Sequence, residues 1–339
     1  MKTTITGCIA WGLVLLTTPV LVGDAEAQTA AKSSVLTMAK LGLGPMPGLA
    51  VMEPLEMEQF DDAIAEYAWP TPRAREWPID IGDRPIVETR RRDELRHTVE
   101  SWESLAQIRR RFRTTTARLR ELNPDRDLRD LEEGDELVVW RRNDDRISQS
   151  RGEPAAGRLV GGEPMPDSDD YVVQFPHRAF GTYYTVSETV RVLDAYYARF
   201  PNADPLIVGD LSAANGRSIH PHNSHQSGRD VDLTLPRHEP PPNYRRFHHI
   251  RRDNLDADRT LWLLATLIEG GYVEYIFLDW HHQRTLWNLA REQGAPDEWL
   301  DEVFQYPSRR RQGLVRHESG HQTHMHIRFS CQETDEYCR

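Results

Sequence analysis

Two short segments that lie far apart in the chain carry a strict alternation of polar and apolar side chains. The first reads Asp-Val-Asp-Leu-Thr-Leu from Asp230, and the second reads His-Met-His-Ile-Arg-Phe from His324. Because successive side chains of a β-strand point to opposite faces of a sheet, this period of two predicts a strand in each segment, with one polar face. The polar face of the second strand presents His324 and His326 side by side.

The polar residues of these two strands are of the types that bind a metal ion. If the strands pair in one sheet with their polar faces aligned, Asp232 and His326 can approach a single ion. His225 precedes Gly228 on the loop that leads into the first strand, and it can fold over the same ion. Two imidazoles and a carboxylate, with a fourth position left to water, form the open arrangement of catalytic zinc, whereas structural zinc is normally closed by four protein ligands.

A zinc ion held in this way supplies the chemistry of a hydrolase, because it lowers the pKa of its water to about 7 and polarises a carbonyl group. The water still needs a base, and His321 and His324 are the candidates. An isolated histidine is more often a surface or hydrogen-bonded core residue than a ligand. The prediction therefore depends on the joint pattern Ser-His-x-x-Gly-x-Asp-x-Asp and His-x-x-His-x-His-x-Arg.

These motifs resemble those of the penicillin-insensitive murein endopeptidases, zinc peptidases of the group that includes D-Ala-D-Ala dipeptidases and the hedgehog-like fold. The resemblance covers about the last half of the chain, in the stretches 206–212, 216–217, 222–232, 275–277 and 321–328. It implies an α+β fold in which helices accompany a small mixed or antiparallel sheet. Alternating helical and strand patterns over this region agree with that fold class.

The resemblance also implies a role for each residue of the site. The implied zinc ligands are His225, Asp232 and His326, and the implied catalytic residues are His321 and His324. His222 matches a further histidine of the family and is an extra or alternative ligand. Arg217, from a matching glycine-arginine pair, is a candidate substrate-binding residue.

The family cleaves the D-alanyl to meso-diaminopimelyl cross-link between peptidoglycan strands, without a serine nucleophile. The resemblance thus implies a periplasmic zinc endopeptidase with peptidoglycan as its partner. A D,D-carboxypeptidase acting on uncross-linked stem peptides is an alternative, because the same zinc geometry serves either reaction. A non-catalytic wall-binding scaffold is a second alternative, and the intact set of ligands with His321 and His324 argues against it.

The N-terminus and the cysteines predict export. Lys2 and the apolar stretch 9–22, followed by Ala-Glu-Ala, predict a signal peptide over residues 1–27. The apolar stretch is short for a membrane span. Cleavage would leave Cys331 and Cys338, and in an exported protein this closely spaced pair favours a disulfide. The formal net charge of −11 argues against nucleic acid as a partner.

Composition divides the rest of the chain. Residues 28–95 are rich in Ala, Pro and charge and are predicted to form a disordered spacer. Residues 96–141 show the patterns of strand, helix, helix and strand. Residues 142–169 are rich in Gly, Pro and Asp and are predicted to be a linker. Residues 170–339 are predicted to form a zinc endopeptidase domain that works independently of the preceding unit.

The βααβ unit resembles LysM peptidoglycan-binding modules, which implies binding to glycan strands. The resemblance rests on the opening Thr98-Val99, on Leu-Asn-Pro at the end of the second helix, and on the segment 131–137 before the last strand. The chain has Trp102-Glu103 where the family usually has Gly-Asp. Trp102 offers a face for sugar stacking or caps the small core, and we expect the second.

Overall fold

The computed structural model describes residues 90–144, 146–241 and 244–339. These residues belong to one unit that runs from Pro70 to Arg339. The predicted signal peptide, with Cys8, and the predicted spacer up to residue 89 lie outside the described residues. The described part is α+β, as the sequence predicts.

A two-stranded sheet and two helices make up the first part of the described chain. The elements are β1 (Glu94–Thr98), α1 (Leu105–Arg111), α2 (Thr116–Leu122) and β2 (Glu136–Arg141). Ser104 and Gln107 form a capping box that begins α1, and Thr115 caps α2, so both helices begin where a side chain satisfies a free backbone N–H. This order confirms the βααβ pattern, while the identity of the unit as a LysM module stays a prediction.

The position of the Trp102 side chain differs from the one expected. Its side chain is exposed, with 55% of the residue's surface accessible, so it does not cap the core. Instead the guanidinium of Arg111 lies over its ring, 5.1 Å from the centroid. The carboxylate of Glu103 accounts for this placement, because it is buried and binds both Arg111 and His97 beneath the loop.

The segment predicted as a linker contains short strands. It contains β3 (Gln149–Arg151), β4 (Arg158–Val160) and β5 (Glu163–Pro164), and β3 pairs with β4 in an antiparallel hairpin. Its glycines serve turns rather than flexibility: Gly152 and Gly161 have φ angles of 78° and 60°, a region that other residues rarely adopt. Composition cannot separate a flexible linker from short strands joined by tight turns, and here the second is present.

The βααβ unit shares a hydrophobic core with the region that follows it. Leu159 of β4 and Phe180 of β7 (Phe180–Gly181) are buried in the same cluster as the apolar residues of the unit. Trp140 meets the ring of Phe180 edge-on at 6.3 Å. Arg113 donates hydrogen bonds to the carbonyl oxygens of Gly216 and Ser218, on the loop that leads to the metal motifs. Composition predicts that the βααβ unit and the following region are independent, whereas these contacts join them.

A similar contact fixes the start of the described chain. The guanidinium of Arg91 binds the carboxylate of Glu163 at 2.6 Å, and Arg90 and Arg92 pair with Asp194 and Asp167. The last residues of the predicted spacer are therefore attached to the protein surface, and β1 already begins at Glu94.

A mixed six-stranded sheet forms the centre of the remaining chain. Its strands are β6 (Tyr171–Val173), β8 (Leu206–Val208), β9 (Asp230–Thr234), β10 (Val273–Phe277), β11 (Val315–Arg316) and β12 (His324–Phe329). The order across the sheet is β11-β10-β12-β9-β8-β6. The outer pairs are parallel and the inner pairs antiparallel, which places β9 and β12 side by side in the middle.

Four helices accompany this sheet: α3 (Tyr183–Arg199), α4 (Ala257–Glu269), α5 (Trp280–Glu292) and α6 (Asp297–Val303). In α3 the apolar residues at three- and four-residue spacing, Val186, Val190, Leu193 and Tyr197, are all buried. The predicted disulfide between Cys331 and Cys338 is present, with a Cα–Cα distance of 5.8 Å. Within the described chain, we find no helix with the length and apolar character that crossing a bilayer requires.

Candidate metal centre

Strands β9 and β12 bring the two sequence motifs together. Their antiparallel register places His326 opposite Asp232 and His324 opposite Thr234, which confirms the predicted pairing of polar faces. Directly opposite residues project to the same face of a sheet. Asp232 Oδ1 and His326 Nδ1 are accordingly 3.1 Å apart. Unlike the predicted half-buried strand, β9 is buried along its whole length, because the loop that carries His225 covers its polar face.

A tight turn places His225 over the two strands. The backbone of His225 has a φ angle of 62°, and its N–H donates to Asp230 Oδ2 at 2.8 Å. Gly228 closes the turn with a φ angle of 77°, and a Cβ atom there would lie 2.7 Å from Leu159 Cδ1. Conformation and space therefore both require glycine. The turn brings His225 Nε2 to 3.2 Å from Asp232 Oδ1.

The three atoms have the spacing of a metal site. His225 Nε2 and His326 Nδ1 are 3.1 Å apart, and each is within 3.2 Å of Asp232 Oδ1. A tetrahedral zinc ion with bonds of about 2.0–2.1 Å holds its ligand atoms about 3.3 Å apart. Asp232 Oδ1 is buried and accepts no hydrogen bond from any described residue. Such an oxygen is costly to leave unsatisfied, and a cation would satisfy it, so these residues fit a zinc ion.

Each imidazole faces an oxygen atom on its far side. His225 Nδ1 donates to the carbonyl oxygen of Leu211 at 2.8 Å, which leaves a lone pair on Nε2. His326 Nε2 faces Asp230 Oδ1 at 3.2 Å, and Arg328 Nε donates to the same oxygen at 2.7 Å. Metal-binding histidines typically have such a partner, because it orients the ring and selects the tautomer that binds the ion.

Charge at the site also favours a cation. Burial would raise the pKa of Asp232, but the imidazoles of His225 and His324 hold it well below its usual range. Burial would lower the pKa of His326, but the carboxylates of Asp230 and Asp232 outweigh it and raise this pKa to about 9. Two buried carboxylates therefore make positive charge favourable between the rings.

His222 lies at the edge of this cluster. Its candidate ligand atom lies within 4.8 Å of those of His225 and Asp232, so these three form an alternative metal-binding set. The set with His326 is tighter, because His222 Nδ1 is 3.9 Å from Asp232 Oδ2. His222 Nε2 binds Asp210 Oδ2 at 2.7 Å. The set with His326 is therefore the more compact of the two.

The two further histidines lie beside the cluster. His324 Nε2 is 3.6 Å from Asp232 Oδ1, and its Nδ1 is hydrogen-bonded to Thr323 Oγ1 at 2.8 Å. The rings of His321 and His324 have centroids 4.9 Å apart. Burial lowers the pKa of His324 to about 4 and also lowers the pKa of His321. Both imidazoles are thus neutral near pH 7, and each keeps one ring nitrogen with a free lone pair.

Sequence reasoning assigned no role to three residues that contact this cluster. Asp230 holds the His225 turn and faces His326, and its place on the polar face of β9 was the available indication. Asp210 binds His222, and it follows Gly209 at the end of the buried strand β8. Phe247 stacks on His324 from a loop with no periodic pattern, so the sequence offered no indication.

Arg217 is exposed on the loop before His222, outside the cluster.

Comparison with known proteins relates part of the chain to a known family. Residues 150–265 match the family model described as penicillin-insensitive murein endopeptidase. Over these residues the chain is similar to that family. A penicillin-insensitive murein endopeptidase of Yersinia enterocolitica is 28% identical over 203 residues, which cover 54% of this chain and 66% of the relative. One of Pectobacterium atrosepticum is 26% identical over 202 residues, which cover 54% of this chain and 65% of the relative. The chain thus spans just under two thirds of these relatives.

The extent of the murein endopeptidase match bears on two of the sequence predictions. The match begins at residue 150, inside the segment predicted as a linker, which agrees with the strands found there. It contains His222, His225 and Asp232 and ends before His321, His324 and His326. The βααβ unit precedes the matched residues, so the match carries no information on its identity.

Proposed function

We propose that this protein is a periplasmic zinc-dependent murein endopeptidase that hydrolyses the D-alanyl to meso-diaminopimelyl cross-links of peptidoglycan. The observation that carries the proposal is the convergence of His225 Nε2, His326 Nδ1 and Asp232 Oδ1 within 3.2 Å of one another, beside two neutral histidines. The names of the related proteins support the substrate.

In this proposal His225, Asp232 and His326 hold the zinc ion. When bound there, zinc would acidify a water molecule and polarise the scissile carbonyl. His324 accepts the proton of the attacking water at Nε2, because Thr323 fixes Nδ1 and the ring lies next to a ligand. His324 then returns that proton to the leaving amine nitrogen, and His321, whose ring centroid lies 4.9 Å from that of His324, assists this transfer.

Three parts of the proposal concern binding rather than chemistry. His222 is an additional ligand or orients the cluster through Asp210, and Arg217 contacts the substrate from the loop before it. The βααβ unit binds glycan strands as a LysM-like module. Its exposed Trp102 supports this role, because an aromatic face that is accessible to solvent can stack on a sugar ring.

Digestion of purified cross-linked muropeptides, with products identified by mass, tests the reaction. The endopeptidase should convert dimers to monomers and leave the terminal D-alanine of uncross-linked stems in place. Removal of that D-alanine without cleavage of dimers would indicate the D,D-carboxypeptidase. Binding to peptidoglycan without either product, in protein shown to contain zinc, would indicate the non-catalytic scaffold.

We expect the two histidines outside the ligand set to separate catalysis from metal binding. His324→Ala and His321→Ala should keep zinc but lose on the order of a hundredfold in turnover, as is usual for a positioned acid-base group. Zinc content and kcat on soluble dimers are the measurements, with His281→Ala, an exposed residue of α5, as the control. Normal turnover in both variants would leave the mechanism without a base.

A further inference from the structure

In its described residues, the loop between β9 and α4 is closed at its base and held beside the metal centre near its middle. Its two ends are joined by hydrogen bonds from His238 N to Asn254 O and from Asp256 N to Pro236 O, at 2.9 and 3.1 Å. Ile250 is buried in the core, and its N–H donates to the carbonyl oxygen of Gln322 at 3.0 Å. The segment just before Ile250 is therefore held against the chain that connects His321 to β12.

From this loop the ring of Phe247 stacks on the imidazole of His324. The ring centroids are 4.8 Å apart and the planes differ by 28°. The far end of the ring reaches Gly209, where a Cβ atom would lie 2.4 Å from Phe247 Cζ. Gly209 follows β8, and its N–H donates to the carbonyl oxygen of Asp232 at 2.8 Å. The space that the ring occupies thus exists because position 209 has no side chain.

We propose that Phe247 is a positioning residue that fixes the plane of the His324 imidazole. The inference rests on the proposed function, in which His324 takes the proton of the attacking water. The hydrogen bond to Thr323 holds one edge of the imidazole but leaves its plane free to tilt about that edge. A ring stacked on the face removes this freedom and keeps Nε2 directed towards the metal centre. Small errors in the placement of a reacting group cost large factors in rate.

A positioning role predicts a specific kinetic result. Phe247→Ala should lower kcat on soluble cross-linked dimers by on the order of tenfold, with zinc content unchanged and KM within about twofold of its original value. Phe247→Leu keeps apolar bulk on the imidazole and should recover part of the loss. His248→Ala, an exposed neighbour on the same loop, is the matched control and should leave kcat unchanged.

Gly209→Ala is a second, independent test of the position of the Phe247 ring. Its new methyl group would collide with Phe247, so this substitution alone should lower kcat by a similar factor. In a chain that already carries Phe247→Ala the collision is gone, and Gly209→Ala should have no further effect. Such non-additivity is the mark of two residues that act through one contact. Additive losses would overturn the inference.

Measuring His324→Ala in the same assay separates failure of this inference from failure of the proposed function. If His324→Ala loses turnover while Phe247→Ala and Phe247→Leu keep it, the positioning role is wrong and the proposed function stands. If His324→Ala keeps full turnover, the role of His324 itself is wrong. A raised KM at constant kcat in Phe247→Ala would show that the ring contacts substrate instead. If Phe247→Ala fails to fold, Phe247→Leu and Gly209→Ala carry the test.

Discussion

Replacing Asp232 with Asn should remove zinc from the protein and abolish measurable hydrolysis of cross-linked dimers. Asp232 Oδ1 lies within 3.2 Å of both His225 Nε2 and His326 Nδ1. Asn has the same shape, so the fold should persist, but its amide is neutral and presents either a weaker acceptor or a donor. Loss of a partner outside the ligand set already costs about 10–100-fold in metal affinity, so loss of a ligand should cost more than a hundredfold.

Elemental analysis after dialysis measures this effect, with three comparisons. His225→Ala and His326→Ala should lose zinc as Asp232→Asn does, because each removes one of three ligands. Asp230→Asn should lose less, since Asp230 orients His225 and His326 without lying between them. His222→Ala should retain zinc if His326 is the third ligand. Full zinc retention by Asp232→Asn would refute the ligand set, and zinc loss in His222→Ala alone would favour the alternative one.

The second large effect concerns the chain before residue 170. A shortened chain that begins at Asp170 should fail to fold, because it lacks β3, β4 and β5 together with the βααβ unit. Leu159 of β4 packs beneath Gly228 in the turn of His225, and it would be missing. Phe180 would lose its cover. Full burial of such a side chain contributes about 1.5–3 kcal/mol, and a domain has only about 5–15 kcal/mol of net stability.

A chain that begins at Arg142 separates the contribution of the βααβ unit to stability from that of β3, β4 and β5. It keeps the three short strands and removes the βααβ unit with the residues before it, so it should fold with a lowered Tm. Phe180→Ala in the full chain should destabilise by about 3–5 kcal/mol, whereas the exposed Trp102→Ala should leave the Tm nearly unchanged. Thermal unfolding by circular dichroism and turnover on soluble dimers are the measurements. If the chain from Asp170 kept full activity, the catalytic region would not need the preceding residues, as the predicted linker implies.

The sequence predicts the metal centre better than it predicts the surroundings of the centre. The pairing of β9 with β12 follows from alternation, because the period of two fixes which side chains share a face. Alternation does not reveal what covers that face, so the burial of Asp232 was not predictable. Glycine content does not distinguish flexibility from turns at positive φ, which is why composition predicts a linker where β3, β4 and β5 are found. Phe247 meets Gly209 and His324 only through tertiary folding, and no local pattern records such a contact.

The shared core around Leu159 and Phe180 changes how sequence variation in the βααβ unit is to be interpreted. A substitution at Ile108 or Leu137, deep in that unit, would loosen the packing that supports Leu159 and, through it, Gly228 and the His225 turn. Such an allele would lower hydrolysis even of a small soluble substrate that never touches the unit. A genetic screen scored on whole cell walls would assign it to polymer recognition, although the lesion acts on the reaction centre.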